Sequence, residues 1–172
     1  MAQYRSDSDT GYETIVNRNL NFVRALLLSV FIGMVALPQS ILADEDPAPA
    51  DPSLLPVFEQ FGGKAGLDAL MEVFMVKLVE DPRTIEYFAE SDQKHVKAML
   101  SEQFCVILGG PCTYTGKGMR EAHAKLSINK ATFNALVESL QLAMDEQEIP
   151  FRAQNKLLAK LAPMHREILT EP

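Results

Sequence analysis

Three histidines and two cysteines are the residues most able to do chemistry in this chain. His123 lies in the stretch Gly109 to Ile128, GGPCTYTGKGMREAHAKLSI. Gly109-Gly110-Pro111 ends the helix before it, because glycine supplies a left-handed cap and proline cannot continue the ladder. Gly116 and Gly118 break the chain again, so only a short piece around Met119–Ala124 can be helical. A histidine on a short, tethered segment facing an apolar interior has the chemistry of an axial ligand to a haem iron. A lone histidine is more often an ordinary core or surface residue, and the segment alone leaves both readings open. His165, between Met164 and Arg166, reads as half-exposed. His95 is one residue off the apolar face of its helix and is a weaker candidate for the opposite side of the iron.

Cys105 and Cys112 flank Gly109-Gly110-Pro111. The chain reversal there can bring their Cα atoms within the span of about 4.4–6.8 Å that a disulfide needs. A buried thiol at Cys105 with an exposed one at Cys112 is the alternative. Their spacing, without a CxxC pair, argues against a metal site or a c-type haem attachment.

Further marks surround His123. Tyr114-Thr115-Gly116 and Met119-Arg120-Glu121-Ala122-His123 follow Gly109-Gly110-Pro111. Phe61-Gly62-Gly63 lies upstream, and Asp81-Pro82-Arg83 precedes Tyr87-Phe88. This set resembles group I truncated haemoglobins over roughly Leu54 to Leu169, and 129–144 resembles the long helix after their proximal segment. The resemblance implies an all-α fold, a two-over-two sandwich of helices at 67–80, 93–108, 129–144 and 151–168 enclosing a haem. It implies haem b, held non-covalently, with His123 as proximal ligand to the iron and Phe88 as the haem-packing phenylalanine. Phe74, Met75, Val96, Met99, Leu100, Gln103, Phe104 and Met119 are then the other expected cofactor contacts.

The distal side departs from the family's pattern. Counting without gaps from Gly109, the position where many relatives place an oxygen-binding tyrosine is Met75, and those that often hold glutamine are Val96 and Leu100. Dioxygen is retained by hydrogen-bond donors such as Tyr or Gln, and these three side chains offer none. Gln103, one turn on, is the nearby amide; Tyr87 and Tyr114 are possible substitutes. The implied function is reversible binding of diatomic gases, oxygen, NO or CO. The alternative is a haem enzyme, an NO dioxygenase or weak peroxidase, which needs a polar distal group. The sequence does not identify a redox partner.

The elements that must position these residues are read from periodicity. Leu67, Leu70, Met71, Phe74, Met75 and Leu78 form a helical stripe, as do Val96, Met99, Leu100, Gln103, Phe104 and Ile107. Phe133, Leu136, Val137, Leu140 and Met144 form a third, and Leu157, Leu158, Leu161 and Met164 a fourth. A short helix is expected over Leu54–Phe61, at most a turn over Thr84–Phe88, and a kink at Pro163. Without the motifs, these stripes suit a four-helix bundle equally well.

At 172 residues the chain allows one domain and a tail. The net charge is −7, and no Lys/Arg stripe gathers that would bind nucleic acid. Residues 1–43 read as a secretory signal: Arg18 and Arg24 precede the apolar run Ala25–Leu37, and cleavage is plausible after Ala43. An uncleaved anchor in the inner membrane is the alternative, since 25–43 nears the ~20 residues that span a bilayer. Either way the positive flank sends the domain to the periplasm or beyond. Residues 44–53, rich in Pro, Ala and Asp, read as a solvated acidic linker, and 54–172 as the folded domain.

Overall fold

A computed structural model describes residues 46–170, and every regular element in it is helical. The helices are α1 (Leu55–Gln60), α2 (Gly63–Glu80), α3 (Ile85–Phe88), α4 (Gln93–Ile107), α5 (Met119–His123), α6 (Lys130–Glu146), α7 (Phe151–Leu161) and α8 (His165–Ile168). Single 3₁₀ turns stand at Pro52–Leu54 and Ala162–Met164. Residues 1–43, expected to be an export signal or anchor, lie outside the described residues. Among the described residues no helix is long and apolar enough to cross a membrane.

The central element is α2. Its stripe of Leu67, Leu70, Met71, Phe74 and Leu78 is almost wholly buried, and it packs most extensively against α4 and α6. Polar ties fix both crossings: Ser101 donates to Asp68 at 2.5 Å, Lys97 pairs with Glu72, and Lys77 meets Glu146 at 2.6 Å. The helix starts at Gly63, four residues before the apolar stripe that marks it in the sequence. The start depends on Gly66, where a Cβ would sit 1.8 Å from the Phe61 carbonyl oxygen.

Helix ends follow from local chemistry. Asp92 accepts from the His95 amide at 3.0 Å and caps α4. Asn129 accepts from Ala131 and Thr132 and caps α6. At the end of α4, Gly109 is left-handed (φ 74°), Gly110 N–H bonds the Cys105 carbonyl at 2.8 Å, and Gly109 N–H bonds Val106 at 3.0 Å. That is a Schellman ending. The Cys105–Cys112 disulfide forms across it, with Cα atoms 5.9 Å apart. Pro163 does more than kink the last helix: α7 stops at Leu161 and a 3₁₀ turn carries the chain into α8.

The stretch expected to be a solvated linker is solvated only in part. Ala48 is 5% exposed and belongs to the core, and Pro47 accepts a hydrogen bond from the buried Gln103. Asp51 caps the 3₁₀ turn through Ser53 and pairs with Lys160 at 2.7 Å. Its backbone oxygen approaches Gly109 so closely that a Cβ there would meet it at 2.7 Å. Proline and acidic residues mark this strap as extended, but extended backbone can still pack.

Candidate functional site

The apolar stripes on α4 and α6 are sealed at one end and open at the other. On α4, Phe104, Cys105 and Ile107 are buried, while Val96, Met99 and Leu100 nearer its start are only half-buried. On α6, Leu140, Ala143 and Met144 are buried, while Phe133, Leu136 and Val137 are half-buried. The open half of α4 begins just after Phe88, and that of α6 just after His123. Two bonds join these ends: Gln93 donates to the Phe88 carbonyl at 3.2 Å, and Tyr87 donates its hydroxyl to the Ser127 carbonyl at 2.9 Å. Phe88 and His123 are themselves half-buried. Apolar side chains of two helices stay half-buried here, next in the chain to Phe88 and His123, a surface able to take a further group.

His123 is prepared within its own turn. Its Nδ1 lies 2.7 Å from the Met119 carbonyl oxygen, which cannot donate, so Nδ1 carries the proton. The lone pair of the neutral ring is therefore on Nε2, the form a metal ligand requires. The short helix that carries it is held from outside: Arg120 meets Glu167 at 3.1 Å, and Thr170 bonds Leu126 and both backbone groups of Ile128. On the other side Glu102 accepts from both the amide and the hydroxyl of Thr115.

The remaining expected contacts divide. Phe74 and Phe104 are buried in the main cluster, and Leu100 packs against it. Met75 is buried at 4% exposure yet stands outside that cluster. The Met99 sulfur lies 3.9 Å from the Thr115 hydroxyl, beneath the loop. Gln103 departs from its expected place as a distal donor. It is 4% exposed, its amide donates to the Pro47 carbonyl at 2.5 Å, and it lies 3.8 Å from the sulfurs of Met119 and Met164. Met119 is likewise core. The tyrosine substitutes are also engaged, Tyr87 with Ser127 and Tyr114 with the Lys117 carbonyl at 2.8 Å. Burial, and then the charge of Glu102, push the Tyr114 hydroxyl above its ordinary pKa. His95 is exposed, and His165 tilts against the Phe133 ring with centroids 6.2 Å apart.

Residues 56–170 match the bacterial-like globin family. The chain belongs to that family. The globin is 33% identical to the group 1 truncated hemoglobin of Tetrahymena thermophila over 90 residues, covering 52% of this chain and 74% of that protein. It superposes on the Fe(III) crystal structure of Tetrahymena pyriformis truncated hemoglobin with a TM-score of 0.63 at 25% identity, covering 67% of this chain and 98% of that one. The 2/2 hemoglobin of a Synechococcus species, crystallised in the cyanomet state with covalently attached haem, shares the fold at TM-score 0.62 and 23% identity, over 67% of this chain and 98% of that one. The globin therefore has the two-over-two helical fold, and its family is one of haem proteins.

The residues fit such a group. A histidine in the ligating tautomer and an unsealed apolar end of two helices are the donor set and the surface that a haem needs. What sequence reasoning missed is the set of braces, Gln103, Glu102, Tyr87 and Thr170. Their partners are backbone atoms or loop residues distant in sequence, which no periodicity marks.

Proposed function

We propose that the domain holds haem b non-covalently through His123 and reversibly binds diatomic gases at the iron. The observation that carries this reading is the 2.7 Å approach of His123 Nδ1 to the Met119 carbonyl, which leaves Nε2 as the available ligand atom. When bound, the haem supplies an iron centre with one coordination position for oxygen, NO or CO. Phe88, Val96, Leu100, Leu136 and Val137 exclude water from it, and Met75 closes the distal side. Binding is favoured over turnover because catalysis needs a polar distal group. Gln103, Tyr87 and Tyr114 have committed their donors elsewhere, and His95 is exposed. Non-covalent attachment is supported by the disulfide, which consumes both cysteines.

His123→Ala tests the reading. The ferrous spectrum is expected to lose its five-coordinate histidyl signature, and added imidazole to restore it. His95→Ala and His165→Ala should leave it in place. An unchanged iron–histidine stretch in the resonance Raman spectrum of haem-loaded His123→Ala would overturn the proposal.

A further inference from the structure

We propose that Gln103 is a positioning residue for His123, acting through Met119 and itself held by the N-terminal strap; this rests on His123 being the haem ligand. A five-residue helix such as α5 has no stability of its own, and no side chain caps its start. The direction of its histidine must therefore be set by tertiary partners. Gln103 is a buried polar group placed to do so from the side of Met119, as Glu167 is from the side of Arg120. Its amide, 4% exposed, donates to the Pro47 carbonyl at 2.5 Å and lies 3.8 Å from the Met119 sulfur. Met119 opens α5, and its carbonyl takes the His123 Nδ1 proton at 2.7 Å. One residue thus touches Gln103 through its side chain and the imidazole through its backbone.

The same amide lies 3.8 Å from the Met164 sulfur, in the turn that leads into α8. There Glu167 holds Arg120, the residue after Met119. Buried polar groups persist in cores when they are satisfied, and they then favour one arrangement over its neighbours. Partners behind a metal-bound imidazole set its orientation and basicity, and losing one costs about 10–100-fold in affinity. Ala48, the residue after Pro47, is itself buried at 5% exposure, so the strap is anchored in the core on both counts.

The test is Gln103→Leu in the full chain, which removes the donor and keeps most of the volume. Haem-loaded protein should retain a histidyl ligand, show a shifted iron–histidine stretching frequency, and lose haem to an apo-globin acceptor about tenfold faster. A role in stability alone would lower the melting temperature and leave the frequency where it was; an unshifted frequency overturns the proposal. If Gln103→Leu does not fold, Met119→Leu decides by the same measurement, since it removes the sulfur facing the amide but not the carbonyl that holds His123. A shift there supports the proposal and no shift overturns it. A wild-type protein without any iron–histidine mode would instead sink the assignment of His123.

Discussion

On the proposed reading of the site, Met75, Val96 and Leu100 would present a thioether and two aliphatic groups, and no hydrogen-bond donor, to a gas ligand. A single hydrogen bond contributes about 0.5–1.5 kcal/mol, and 1.4 kcal/mol is a factor of ten. Met75→Tyr, which supplies a hydroxyl from the buried face of α2, should therefore slow oxygen dissociation by roughly tenfold, read by stopped-flow displacement with CO. An unchanged rate would show that Met75 does not face the ligand. A second residue sets an acid limit. Hydrogen bonds from Lys160, then Ser53, hold the Asp51 carboxyl down from 3.8 to about 2. Its folded pKa lies below its unfolded one, so its contribution is fully present above pH ~4 and is lost as pH falls through about 2. Asp51→Asn should be less stable than wild type at neutral pH, and the gap in melting temperature should narrow through that window and close below it. A gap that stays constant down to acid would assign the effect to the cap geometry instead. At this scale the short segments that carry His123 and Phe88 were legible, because glycine and proline breaks isolate the one and introduce the other. Gln103 was misplaced, since its acceptor is a backbone carbonyl in a stretch whose composition reads as solvated.

Helix termini are where the elements store what can be measured. Glu148, just past α6, is the non-glycine residue with left-handed backbone (φ 51°) among those described. Its neighbour Ile149 bonds back to the Met144 carbonyl at 3.0 Å, repeating the Schellman ending of α4 without its glycine. Left-handed backbone costs a side-chain-bearing residue about 1–2 kcal/mol, so Glu148→Gly is expected to stabilise the domain by about 1 kcal/mol in urea unfolding. A loss of stability would mean that the Glu148 side chain makes a contact that outweighs its backbone. The Cys105–Cys112 bond closes a short loop, worth about 2–3 kcal/mol by the chain-entropy model. Adding reductant should lower the unfolding free energy by that amount, and thiol titration in denaturant should find none free beforehand. The four long helices were legible because their apolar period is local. The start of α2 and the break at Ala162–Met164 were less so. Each depends on which backbone bonds the packed chain can still make.

For the whole molecule, the question is how the folded domain relates to the residues before it. The net charge of −7 resides entirely after Ala43, where 13 Lys and Arg face 20 Asp and Glu; the first 43 residues balance three against three. That division sets an acidic globin domain apart from a charge-balanced stretch whose Arg18 and Arg24 precede an apolar run. The disulfide supports the same reading, because such bonds persist in oxidising compartments outside the cytoplasm. We propose that the chain is exported and cut after Ala43. The cut position is constrained by the fold as well as by the signal: Pro47 carries the acceptor for Gln103 and Ala48 is core, so cleavage must leave both in place. A mature chain starting at Asp44 keeps the strap with three residues to spare, whereas one starting beyond Ala48 would leave the Gln103 amide buried without that acceptor, a loss of about 1–3 kcal/mol. N-terminal sequencing of protein from the native periplasm is expected to read Asp44-Glu45-Asp46. An intact Met1 in washed membranes would support the anchor instead. An intact Met1 in the soluble cytoplasmic fraction, with both thiols reactive, would end the export proposal.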